Sequence, residues 1–135
     1  MPIDFRAANA GAALRAAGHR PDRDSFFLCE GLLLYLERPV IAGLLCSLRA
    51  AAGPQSTLAA SLAVRSPDPR HEARRALAHR RRAGLGEPVR TILEPGEAPA
   101  LFARAGWTAA TITRPGSGAL FLVASPVQAS GVPDR

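Results

Sequence analysis

Three features of the 135-residue sequence predict an α/β fold with a mostly parallel sheet and a C-terminal antiparallel hairpin. Strand-like apolar runs at 25–29 and 57–64 alternate with helix-like segments. That alternation implies parallel strands joined by crossovers, in a sheet covered on both faces. Val40, Ile41, Leu44, Leu45 and Leu48 form one apolar stripe at helical spacing, opened by Pro39 and closed by Gly53 and Pro54. Finally, 107–113 and 119–124 read as two strands joined by the turn RPGSG at 114–118.

Taken in order, residues 9–17 are Ala-rich with Leu14 as the large apolar residue, and Gly18 stops the predicted short helix. The polar turn HRPDRD, 19–24, leads into SFFLCEGLLLYL, 25–36, where a strand apolar on both faces runs into Glu30 and Gly31 before the apolar pattern resumes. The helix carrying the Val40–Leu48 stripe follows, and then the second strand. Residues 66–87 change character: Pro67 and Pro69 open a solvated, mobile helix with six arginines around a weak stripe of Ala73, Ala76 and Leu77. Another helix, 96–106, turns Leu101 and Phe102 inward and ends at Gly106. The domain is expected to span 1–124, with 125–135 a disordered Pro, Ser and Gly tail.

The composition bounds the function. The net charge of +6 comes from 17 basic residues, every one Arg, against 11 acidic ones. With Ala also abundant, this reads as coding bias and not as a selected basic surface, and no aromatic residues interleave the Arg run, so no nucleic-acid partner is expected. Hydrophobic residues make up 47% with a mean hydropathy of +0.05, which is globular, and Glu30 and Gly31 break the longest apolar run. No membrane association is expected, and with no secretory layout in MPIDFR the expected location is cytoplasmic. Cys29 and Cys46 are far apart in apolar surroundings and are expected to be buried; no CxxC or HExxH pattern suggests a metal. His19, His71 and His79 lie in polar or Arg-rich stretches and are expected to be exposed.

Glu30 is the sharpest functional signal. Ligands of parallel α/β sheets bind beyond the carboxyl ends of the strands, which is where Glu30 sits. The competing reading is that it caps the following segment through local backbone hydrogen bonds.

MPIDFR, AALRAAGHRP, FFLCEGLLLYL, GPQSTLAA and PGEAPALFARAGW together resemble the C-terminal half of the class I S-adenosylmethionine (SAM)-dependent methyltransferases related to leucine carboxyl methyltransferase. The resemblance implies a partial Rossmann-like methyltransferase sheet, SAM as cofactor, and carboxyl or other O-methylation of a small-molecule acceptor. It places Asp4 and Phe5 at the adenine, where a carboxylate can accept from the amino group and an aromatic ring can cover the base. Read alone, Asp4 is an N-terminal acid near a helix start. The resemblance also places Glu30 at the donor site and Tyr35 on the acceptor side, although a Tyr in an apolar run also reads as core with its hydroxyl at the rim. No catalytic acid or base is assigned. An anionic acceptor oxygen and a sulfonium leaving group ask mainly for alignment and desolvation.

The family's Gly-rich loop and the acid of its second strand have no counterpart, since Gly11, Gly18 and Gly31 form no GxG spacing after a strand. The expectation is therefore a truncated enzyme, inactive alone, whose N-terminal strands are lacking and whose first strand is an open edge. The alternatives are a non-catalytic module that pairs through that edge, with a copy of itself or a separate N-terminal half, and an Arg-rich nucleic-acid binder.

Overall fold

The computed structural model describes residues 3–113 and 119–128. Four strands, β1 (Phe26–Cys29), β2 (Thr57–Ala63), β3 (Trp107–Thr113) and β4 (Ala119–Pro126), form one sheet in the order β1-β2-β4-β3. β1 pairs with β2 in parallel, and β4 lies between β2 and β3, antiparallel to both. Three of the four strands therefore run in one direction, and β4 is the exception. The predicted hairpin is present, but its second strand, and not its first, joins the parallel pair. The predicted turn at 114–118 lies outside the described residues. β4 runs through Ser125 and Pro126, Val127 N–H donates to the Gly106 carbonyl at 2.9 Å, and the Gln128 amide reaches the Pro54 carbonyl at 3.0 Å. The ordered chain thus continues past the predicted boundary at 124, because ladder bonds to β3 hold it; 129–135 lie outside the described residues.

Helices α1 (Ala10–Ala16), α2 (Arg38–Ala50), α3 (Pro69–Gly84) and α4 (Glu97–Arg104), with a 3-10 turn at Leu33–Tyr35, fill the connections. Asn9 caps α1 by accepting from Ala12 N–H at 3.0 Å. Gly18, at φ +92°, ends it with paired bonds from Gly18 N–H to the Arg15 carbonyl and from His19 N–H to the Leu14 carbonyl, both 2.9 Å. Of the predicted α2 stripe, Ile41, Leu44, Leu45 and Leu48 are buried and Val40 is half-buried.

The core lies between one sheet face and helices α1, α2 and α4. Phe27 and Cys29 of β1, Leu58, Ala60 and Leu62 of β2, and Leu120, Leu122 and Ala124 of β4 point into it with Phe102 and Trp107. Trp107 meets Phe27 edge to face at 6.4 Å and donates its indole N–H to the Leu45 carbonyl at 3.0 Å, so its one polar atom is satisfied inside the core. The opposite face differs from expectation. Phe26 and Leu28 of β1 are 66% and 61% exposed, and Phe121 and Val123 of β4 are also exposed. Among the described residues this face is uncovered at β1.

Cys46 also departs from expectation. Cys29 is buried on the inner face of β1, but Cys46 follows Leu45 by one position and so falls off the α2 stripe into solvent.

Candidate functional site at the carboxyl ends of β1 and β2

β1 ends at Cys29, and Glu30 stands just beyond it, exposed. Gly31 then takes φ +62°, a left-handed conformation that turns the chain out of the strand, and its N–H donates to the Ser61 hydroxyl at 2.7 Å. Ser61 lies on β2, so this one bond ties the ends of the two parallel strands together. No described partner engages the Glu30 carboxylate, and no local cap bond from it is seen.

Asp4 and Phe5 approach β1 from the N-terminal segment. Phe5 lines an apolar groove of about 280 Å3 together with Ile3, Leu14, Phe26, Leu28 and Leu32, which brings it to the strand that ends at Glu30. Asp4 is exposed and locally engaged: its Oδ1 accepts from Arg6 N–H at 3.0 Å and Arg6 Nε at 3.3 Å, while its carbonyl accepts from Ala7 and Ala8. The backbone N–H of Arg6, then its side chain, hold the Asp4 carboxyl below the usual carboxylate range. Its geometry is that of an Asx turn leading to α1, and a ligand would have to compete with Arg6 for this oxygen. Tyr35 is half-buried in the 3-10 turn, and its neighbour Leu34, not Tyr35 itself, lines the large cavity described next.

That cavity, about 610 Å3, lies between the carboxyl half of β2 and helix α3. Ser61, Ala63, Leu34 and Ala119 form its floor, and His71, Arg74, Arg75, His79 and Arg82 form the opposite wall. The sequence pattern misplaces this wall. Ala73, Ala76 and Leu77, the weak apolar stripe, face solvent, with Leu77 46% exposed, and the basic face turns toward the sheet. Propensity carries the helix, with Asp68 accepting from Arg70 N–H at 2.8 Å at its N-cap and Pro69 in the first turn. The helix is anchored by a polar clamp in place of an apolar stripe. Arg75 donates to the Val64 carbonyl and to the Glu72 carboxylate, and Glu72 accepts from Ser66 N–H. The Ser66 N–H does most to lower the Glu72 carboxyl; burial opposes it, and Arg75 and then Arg65 lower it further. His71 and His79 are half-buried in this wall, not exposed as expected. His19 is structural: its Nε2 lies 2.7 Å from the Ala51 carbonyl and its ring packs on Phe27.

The i, i+3, i+4, i+7, i+8 spacing of 71, 74, 75, 78 and 79 was the available signal for this wall. Ser56 and Thr91 gave none. Both are buried polar residues: Ser56 Oγ accepts from Ser25 N–H at the entry to β1 at 3.0 Å, and Thr91 Oγ1 donates to the Leu36 carbonyl at 2.6 Å.

A sequence profile described as leucine carboxyl methyltransferase matches residues 1–48, so the resemblance read from the sequence holds over that segment. None of the curated proteins is a detectable relative by sequence. Among solved structures, human N-acetylserotonin methyltransferase in complex with SAM superposes with a TM-score of 0.60 at 14% identity, over 95% of this chain and 33% of that one. The Burkholderia thailandensis 1,6-didemethyltoxoflavin-N1-methyltransferase, with its substrate and S-adenosylhomocysteine bound, gives a TM-score of 0.58 at 14% identity, over 81% of this chain and 46% of that one. A methyltransferase of calicheamicin biosynthesis, in its S-adenosylhomocysteine-bound form, gives 0.56 at 13% identity, over 75% and 29%. At these identities the likeness is one of fold: the chain has the Rossmann-like α/β fold of these methyltransferases and spans about a third to under a half of their length.

Proposed function

We propose that this chain forms part of a SAM-dependent methyltransferase and supplies the wall of its site at the carboxyl ends of β1 and β2. The observation that carries the reading is the groove that Phe5 shares with β1, the strand that Glu30 directly follows with its carboxylate free of any partner among the described residues. Phe5 covers the adenine, Glu30 and, after exchange of its Arg6 bonds, Asp4 accept hydrogen bonds from the donor, and Tyr35 stands on the acceptor side. SAM, when bound, supplies an activated methyl group; the chain's residues orient the donor and exclude water around the acceptor oxygen. The reaction class is carboxyl or other O-methylation of a small molecule. The chain is inactive alone in this reading, since it spans only about a third to under a half of the methyltransferases whose fold it shares.

Calorimetric titration with SAM tests this reading. Saturable binding is expected, and Glu30→Ala should weaken it about tenfold, the scale of one hydrogen bond to a charged group. Heats indistinguishable from dilution, or equal affinity in the variant, contradict the assignment.

A second reading is favoured by the edge of β1, which has no strand partner among the described residues and carries exposed Phe26 and Leu28. In it the chain is a non-catalytic module that adds this edge to a second chain's sheet. Concentration-dependent self-association without SAM binding supports this second reading.

A further inference from the structure

Helix α3 presents its charged face to the protein and its apolar residues to water, the reverse of a helix docked by hydrophobic burial. It carries six arginines and one glutamate, and Arg75 is already committed to Glu72 and the Val64 carbonyl. Among the described residues neither Arg74 nor Arg82 has a carboxylate within 4.0 Å, although both line the cavity over β2. Burial, then the charges of Arg75 and Arg82, hold the His79 imidazole below its ordinary 6.5, against an opposing pull from Glu72. The floor opposite is small and apolar apart from Ser61. Ser61 accepts from Gly31 N–H, so this end of the cavity adjoins the Glu30–Gly31 turn.

We propose that the cavity binds the methyl acceptor as an amphipathic organic anion, held by its negative group between Arg74 and Arg82 with its apolar body on Leu34, Ala63 and Ala119. Two guanidiniums on one helix face suit a carboxylate, and an apolar floor suits an aromatic or acyl body. The gripped anion is then remote from the atom that receives the methyl group, which lies toward Ser61. Only the word acceptor rests on the methyltransferase reading; the binding does not.

Titration of the full chain with 2-naphthoate and with its neutral amide tests the proposal. The carboxylate should bind at least tenfold more tightly than the amide. R74A/R82A should lose at least tenfold in affinity for the carboxylate, while R80A/R81A, which removes the same charge outside the cavity lining, should stay within twofold. All four positions are unburied, so circular dichroism should show wild-type folding. Equal binding of acid and amide, equal weakening by the two double variants, or no binding of the acid overturns the proposal. A parallel SAM titration separates the claims: SAM binding without naphthoate binding overturns the anion site alone. Naphthoate binding without SAM binding overturns the methyltransferase reading alone.

Discussion

Gly53 shows how close packing constrains single residues at the amino ends of β1 and β2. A Cβ there would lie 2.7 Å from the Arg23 carbonyl carbon and 2.8 Å from its oxygen, backbone atoms that cannot swing aside. Gly53→Ala is therefore expected to destabilise the chain by about 1–3 kcal/mol, the usual range for overpacking, read from the denaturant midpoint. Ser56 makes the complementary case, since its hydroxyl receives the Ser25 N–H that opens β1. Ser56→Ala should cost about 1–3 kcal/mol, because a donor beside a buried site loses its partner; an unchanged midpoint would show that water replaces it. Gly53 was legible as a helix stop, but its contact with Arg23 was not. Sequence spacing carries no information on which loop a distant glycine touches.

At the level of elements, the Arg38–Glu97 pair joins the start of α2 to the start of α4, with bonds of 2.9 and 3.0 Å. Arg38, followed by the Glu94 N–H, lowers the Glu97 carboxyl from its ordinary 4.5. A lowered folded value means that this stabilisation is present above pH 4.5 and is lost as pH falls through the folded value. Glu97→Gln should accordingly flatten the fall of the thermal midpoint on acidification below pH 4.5 and cost little at pH 7, as partly exposed pairs do. An unchanged acid limb would place the acid sensitivity elsewhere, for instance at Glu72.

Element prediction succeeded where burial and periodicity agree. The α2 stripe and the start points of β1 and β2 fall within a residue of expectation, because buried faces repeat at the period of their secondary structure. The helix at α3 was legible too, and none of its residues is buried, as a solvated helix requires, but which face turns toward the sheet was not. Three small or isolated apolar residues are a weak force, and the Arg75 clamp to Val64 and Glu72 outweighs them. The candidate site follows the same division. The position of Glu30 was legible because it directly follows a strand, and Phe5 was named only through the family resemblance, whereas the basic cavity wall was not legible, because it depends on which way α3 is turned.

For the whole molecule, the main consequence is a sheet with one packed face and one that is apolar and open at β1. Exposed apolar residues grouped along a sheet edge mark an interaction surface more often than a solvent face. Replacing both Phe26 and Leu28 with Lys should leave stability within about 0.5 kcal/mol, as exposed substitutions do, while abolishing concentration-dependent association in sedimentation velocity. Marked destabilisation would show that these side chains pack within the isolated chain.

We propose that Phe5, in the groove along β1, and the Glu30–Gly31 turn, tied to Ser61 of β2, take part in ligand binding. The most direct test is amide chemical-shift mapping of the chain on titration with S-adenosylhomocysteine. Saturable shifts clustered at Phe5, Glu30, Gly31 and Ser61 are expected. Shifts confined to the exposed outer surface of α3, or no saturable shifts at all, would contradict the proposal.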